Sequence, residues 1–112
     1  MTAETPDQEL FWSFATSLLQ CPGVSRSTMM GLPCLRLHGV FFAACDRRTG
    51  DLLIKLSRQR VDALIEEGAA HPFAPAGRRF RQWAAVSPEL SANWSDLLSE
   101  AQQFATLGAP WL

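Results

Sequence analysis

The side chains in this 112-residue chain most able to do chemistry are Phe73 and the run Arg78-Arg79-Phe80-Arg81-Gln82-Trp83. Guanidinium groups interleaved with aromatic rings can hold phosphates by charge and stack against bases or other planar ligands. In an extended segment Arg79, Arg81 and Trp83 would share one side, with Arg78 and Phe80 on the other. The competing reading packs Phe80 and Trp83 inside and leaves the arginines solvated or paired with acidic helices. Arg36 and Lys55 would join the same set if the open face of a sheet lies nearby. The candidate contacts for a nucleic acid or other ligand are therefore Arg36, Lys55, Arg78, Arg79, Arg81 and Trp83.

Signals for catalysis and metal binding are weak. No phosphate-binding glycine loop, nucleophile elbow or H-E-x-x-H occurs. Cys34 and His38 could imitate a thiol–imidazole pair. In a strand, however, positions four apart are about 13 Å from each other, too far for a hydrogen bond. Cys21, Cys34 and Cys45 have no C-x-x-C spacing, so neither a zinc site nor a disulfide framework is expected. The reading is non-enzymatic, with no cofactor and no metal.

Composition bounds the class. Apolar residues are 47% and charged residues 19%, which suits one globular domain over residues 1–112 with a core at about 6–107. Ten basic residues nearly cancel eleven acids, for a net charge of −1, which argues against coating nucleic acid by bulk charge. The charges are segregated, though. Every base lies between Val24 and Trp83, a block of net charge +5, and residues 1–23 and 84–112 carry −3 each. Either one face is positive, or the terminal helices pair with the middle. The N-terminus has no signal-peptide pattern and no apolar run reaches membrane-spanning length, so a reduced, cytoplasmic protein is expected.

These residues need elements to position them. Thr5-Pro6-Asp7-Gln8 predicts a capped helix start, and Leu10, Phe11, Phe14, Leu18 and Leu19 carry it over residues 6–20 until Cys21-Pro22-Gly23. A meander follows. A short strand near 27–30 can precede alternation at Leu35/Leu37, a turn at His38-Gly39, alternation at Val40/Phe42/Ala44, and a turn over 46–51. Leu52, Ile54 and Leu56 then alternate, with Arg36 and Lys55 opposite the buried face. Ser57 caps a second helix that ends at Gly68. Residues 69–77 read as a loop and 80–86 as a last strand. Ser87-Pro88-Glu89 starts a third helix, with Leu90, Trp94, Leu97, Leu98 and Ala101 on one face up to Gly108. The order α-β-β-β-α-β-α predicts an α+β fold, an antiparallel sheet of four to five strands with three helices on one face. Trp94 and Phe42 are expected in the core. Trp12, Trp111 and Leu112 are candidates for an interface.

With these elements placed, the chain resembles the TfoX N-terminal-domain-like and YjbR (MmcQ)-like families of small bacterial domains. The residues that carry the resemblance are Met29-Met30-Gly31, Gly39-Val40-Phe41-Phe42-Ala43, Leu53-Ile54-Lys55-Leu56, Phe73-Ala74-Pro75-Ala76-Gly77-Arg78 followed by Trp83, and Trp94-Ser95-Asp96-Leu97-Leu98-Ser99-Glu100-Ala101. They span about residues 8–106. Met30 stands where the first family has Phe. The resemblance implies a two-layer α/β domain of secretion-chaperone-like architecture and a DNA-binding or competence-regulator label. It brings no catalytic residues. The candidate partners are DNA on one side, and a regulatory protein or a second copy of the chain on the other.

Overall fold

Two turns of contrasting chemistry set up the sheet. His38 and Gly39, at φ 49° and 85°, form the two-residue turn that joins β2 (Leu32–Leu37) to β3 (Val40–Cys45). The next turn is held by Asp46: its carboxylate accepts the Arg48 amide at 2.9 Å and its carbonyl the Gly50 amide at 2.7 Å. Gly50, at φ 77°, leads into β4 (Leu52–Lys55). Before this meander comes β1 (Val24–Met29), antiparallel to β2, with Val24 opposite Leu37. It begins three residues earlier than the sequence indicates.

The computed structural model describes residues 6–29 and 31–107, without the side chains of 6–8 and 29. Thr5, Met30, Gly108, Trp111 and Leu112, together with the Gln8 side chain of the expected capping box, lie outside the described residues.

The sheet is antiparallel and six-stranded, in the order β1-β2-β3-β4-β6-β5, where β5 is His71–Pro72 and β6 is Trp83–Val86. With three helices, α1 (Pro6–Ala15), α2 (Arg58–Glu66) and α3 (Trp94–Thr106), this is the expected α+β class. The sixth strand falls in the segment read as a loop. It is two residues long, pairs with Ala84 and Ala85, and places Pro72 at a sheet edge, where a missing N–H is tolerated.

Helix boundaries also depart from the expectation. Residues 6–20 are helical throughout, but the last five, Thr16–Gln20, tighten into a 3-10 turn. The Thr16 and Ser17 hydroxyls donate to the Trp12 and Phe14 carbonyls there and compete with backbone pairing. The Ser57 hydroxyl accepts the Arg60 amide at 3.2 Å and Gly68 closes α2 at φ 77°, as the sequence indicates. Ser87 caps as expected, but a 3-10 turn over Pro88–Asn93 precedes α3. Arg60 and Glu100 form a two-pronged ion pair, at 2.8 and 3.1 Å, that ties α2 to α3. That hydrogen bond raises the Arg60 pKa above its usual value.

The helices cover one face. Phe11, Val61, Leu64, Trp94, Leu97, Leu98 and Ala101 meet Leu35, Leu37, Phe42, Ile54 and Val86 in the main core. Strict alternation would send Ala44 to this face with Phe42. Instead β3 bulges: Leu35 pairs with Ala43 but Arg36 pairs with Phe41, which leaves Phe42 as an extra residue. The phase flips there. Phe42, Ala43 and Cys45 face the helices, while Phe41 and Ala44 face the other way.

Candidate functional site

The far face of the sheet carries a second, smaller core. Cys34, Ala44, Leu53, Phe73 and Ala85 are buried there, flanked by half-buried Leu32, Phe41, Phe80 and Trp83. The loop from Phe73 to Phe80 closes over it. The Phe80 amide donates to the Phe73 carbonyl at 2.9 Å, and the two rings meet edge to face at 5.6 Å. A 3-10 turn over Pro75–Gly77 reverses the chain, with Ala76 and Gly77 both left-handed at φ 55° and 80°. Burial of the aromatic residues thus fixes the loop, and its arginines are left at the rim.

That rim is one side of a cleft of about 670 Å³. Arg78, Arg79, Phe80, Arg81, Gln82 and Trp83 line it from the loop and the start of β6, and Lys55 and Arg58 line it from the end of β4 and the start of α2. The β4–β6 pairing brings the two sets together, since Lys55 stands opposite Trp83. Residues 78–82 belong to no strand, and β6 begins only at Trp83. The alternation expected for this segment therefore does not apply, and Arg78 and Phe80 reach the same cleft as Arg79, Arg81 and Trp83.

Charge in the cleft is one-sided. Five cations line it and no acidic residue among the described ones does. Arg79 is paired with Asp62 at 3.2 Å. Arg58, Arg78 and Arg81 have no carboxylate partner among the described residues. Lys55 is buried, and desolvation lowers its pKa from the usual 10.5. Arg58 opens α2, so the cleft also meets the positive end of that helix. The side-chain oxygen of Gln82 is buried and has no hydrogen-bond partner among the described residues. Arg60–Glu100 joins the basic middle of the chain to an acidic end, whereas Arg79–Asp62 lies within the middle.

Arg36 does not line this cleft. It lies on β2, with β3 between it and β4, and its guanidinium sits over the Phe41 ring at 5.5 Å. Arg58, in contrast, joins the cleft without having been singled out in the sequence. Its only signal was its place one residue after the Ser57 cap and three after Lys55.

Elsewhere the polar groups are separated. The Cys34 thiol is buried and its pKa raised by desolvation, against a smaller opposing pull from Arg36. His38 is exposed at the hairpin turn. His71 meets buried Asp51 at 2.8 Å, a carboxylate-oriented imidazole to which no hydroxyl or thiol hydrogen-bonds among the described residues. Trp12 is half-buried against Phe11 and carries Arg26 over its ring at 4.0 Å. No helix among the described residues is long and apolar enough to cross a membrane. No protein-family model, curated protein or solved structure matches this chain.

Proposed function

We propose that this chain is a non-enzymatic nucleic-acid-binding domain of the TfoX N-terminal/YjbR-like type, with the cleft between β4, α2 and the 73–83 loop as its contact surface. One observation carries the reading. Five cations from separate stretches of the chain, one of them paired with Asp62, converge on one cleft that no acidic residue among the described ones lines, beside half-buried Phe80 and Trp83, in a protein whose net charge is −1. Segregated charge lets a protein without bulk positive charge hold a polyanion locally. The DNA-binding label of the resembled families points the same way. The cytoplasm is the compartment that goes with this reading, supported by three cysteines that form no disulfide among the described residues.

The rival reading, a protein-interaction or dimerisation module, has less to stand on. Among the described residues Leu107 is the one large apolar side chain that is fully exposed. Trp12, offered as an interface residue, packs against the molecule's own core.

The test is fluorescence anisotropy of labelled DNA at two salt concentrations. Arg78→Ala/Arg81→Ala is compared with Arg47→Ala/Arg48→Ala, which removes the same charge from the exposed β3–β4 turn. Binding that weakens with salt and is lost mainly in the cleft variant supports the reading. Each phosphate contact removed lowers the log–log salt slope by roughly 1. Equal losses in the two variants, or no binding by the wild type, defeat it.

A further inference from the structure

We infer that the cleft takes one unstacked nucleotide of a single strand, its base against Trp83 and its phosphates on Arg78 and Arg81, so that single-stranded nucleic acid is preferred over duplex. The inference rests on the nucleic-acid reading above and gives it a ligand class.

Shape is the first argument. Duplex DNA is read by a helix or ribbon that projects into a groove, or by cations on a surface that follows its backbone. Here the cations ring a recess, and its volume of about 670 Å³ falls within the range of sites that enclose a single small ligand. The recess is supplied by a loop, the facing ends of β4 and β6 and the first residue of a helix, and no helix face or hairpin lines it.

The walls are the second argument. Trp83 and Phe80 line the recess and are half-buried, which leaves aromatic surface open on rings held fixed by the small core beneath them. A base in a duplex hides its flat faces in the stack. A base in a single strand offers them, and stacking on an aromatic side chain accepts any base. Beside the two rings, Gln82 also lines the recess and its buried carbonyl oxygen has no partner among the described residues. An amide can offer a base edge both a donor and an acceptor, and the buried oxygen would become an acceptor for a base only if the side chain turns into the recess on binding. Arg58, Arg78 and Arg81, without carboxylate partners among the described residues, are placed to neutralise the phosphates on either side.

The experiment separates base from phosphate on the ligand side, so it does not depend on a variant folding. Anisotropy is read for a short labelled oligothymidylate, an abasic oligomer of the same length and charge, and a duplex of the same length. Unlabelled thymidine monophosphate is the competitor. The oligothymidylate is expected to bind roughly 5- to 150-fold tighter than the abasic oligomer, the size of one base–aromatic stack. It should also exceed the duplex, and the monophosphate should compete only weakly. Trp83→Leu, checked for folding by circular dichroism, should bring the oligothymidylate down to the abasic level. Equal affinity for the thymidylate and abasic oligomers overturns the inference and leaves the nucleic-acid reading standing on phosphate contacts alone. Preference for the duplex also overturns it, as does a monophosphate that competes as well as the strand. Binding to no nucleic acid removes the underlying reading as well.

Discussion

Lys55 is the chain's single lysine, and the sheet holds its side chain almost out of water, at 6% exposed. Burial disfavours the ammonium form, so its pKa is lowered from 10.5 in the folded state. The sign of the consequence is fixed. Below the lowered pKa the folded protein bears a net cost for the desolvated charge. As pH rises through that value toward 10.5, the folded state sheds the proton before the unfolded chain does, and stability is gained. Wild type should therefore gain stability relative to Lys55→Met between neutral pH and about 10.5, read from urea midpoints at a series of pH values. A gap between the two proteins that does not change with pH would show that Lys55 is not desolvated as described. If the cleft binds a polyanion as proposed, a buried cation lining it would be screened less by salt than one on the surface.

Between elements, the junction of the 3-10 turn with β1 depends on Gly23. It sits at φ +85°, and its carbonyl accepts the His38 amide at 2.9 Å, which ties the start of β1 to the β2–β3 hairpin. A Cβ at this position would collide with the His38 imidazole. That ring is exposed and can swing away, so the lasting cost is the left-handed backbone, about 1–2 kcal/mol. Gly23→Ala should lose that amount in urea denaturation, and the same amount again in a His38→Ala background. If the cost vanishes in that background, the ring and not the backbone sets it. The Phe42 bulge acts at the same scale. By inserting one residue it moves Ala43 and Cys45 under the helices and leaves Phe41 and Ala44 to form the second core.

Over the whole molecule, the main core and the proposed binding cleft lie toward opposite faces of one sheet. Trp94 is completely buried between α3 and the sheet, and its indole N–H donates to the Ser87 carbonyl at 3.2 Å. Trp94→Ala should cost about 3–5 kcal/mol, a large share of the total stability of a domain this size. Arg78→Ala/Arg81→Ala should leave the unfolding free energy from urea denaturation within about 0.5 kcal/mol of wild type, because both side chains are exposed. A Trp94→Ala loss below about 1 kcal/mol would mean that the main core is not organised around this residue. The sheet's outer edges are also blunted. β1 is rich in exposed polar residues, Ser25, Arg26 and Thr28, and β5 is two residues long and contains Pro72.

What the sequence determined by itself was local. The His38-Gly39 and Asp46–Asp51 turns, the Ser57 and Ser87 caps, the stripes of α2 and α3 and the alternation of β4 all follow from conformational preference and pattern over a few residues. Four of the six nominated residues stand in one run of arginines and aromatics visible in the chain itself, and together with Lys55 they line the cleft. Tertiary structure decided the rest. The bulge at Phe42 appears only when β3 is laid beside β2. The start of β6 at Trp83 is set by its partner: β4 ends at Lys55, where the chain turns to cap α2, so residues 78–82 have no strand to continue along. That same pairing draws Arg58 into the cleft, and the order of the sheet keeps Arg36 out of it. Backbone preference and side-chain period act between neighbours in sequence. Strand pairing joins residues far apart in the chain, and its register depends on the whole core being packed at once.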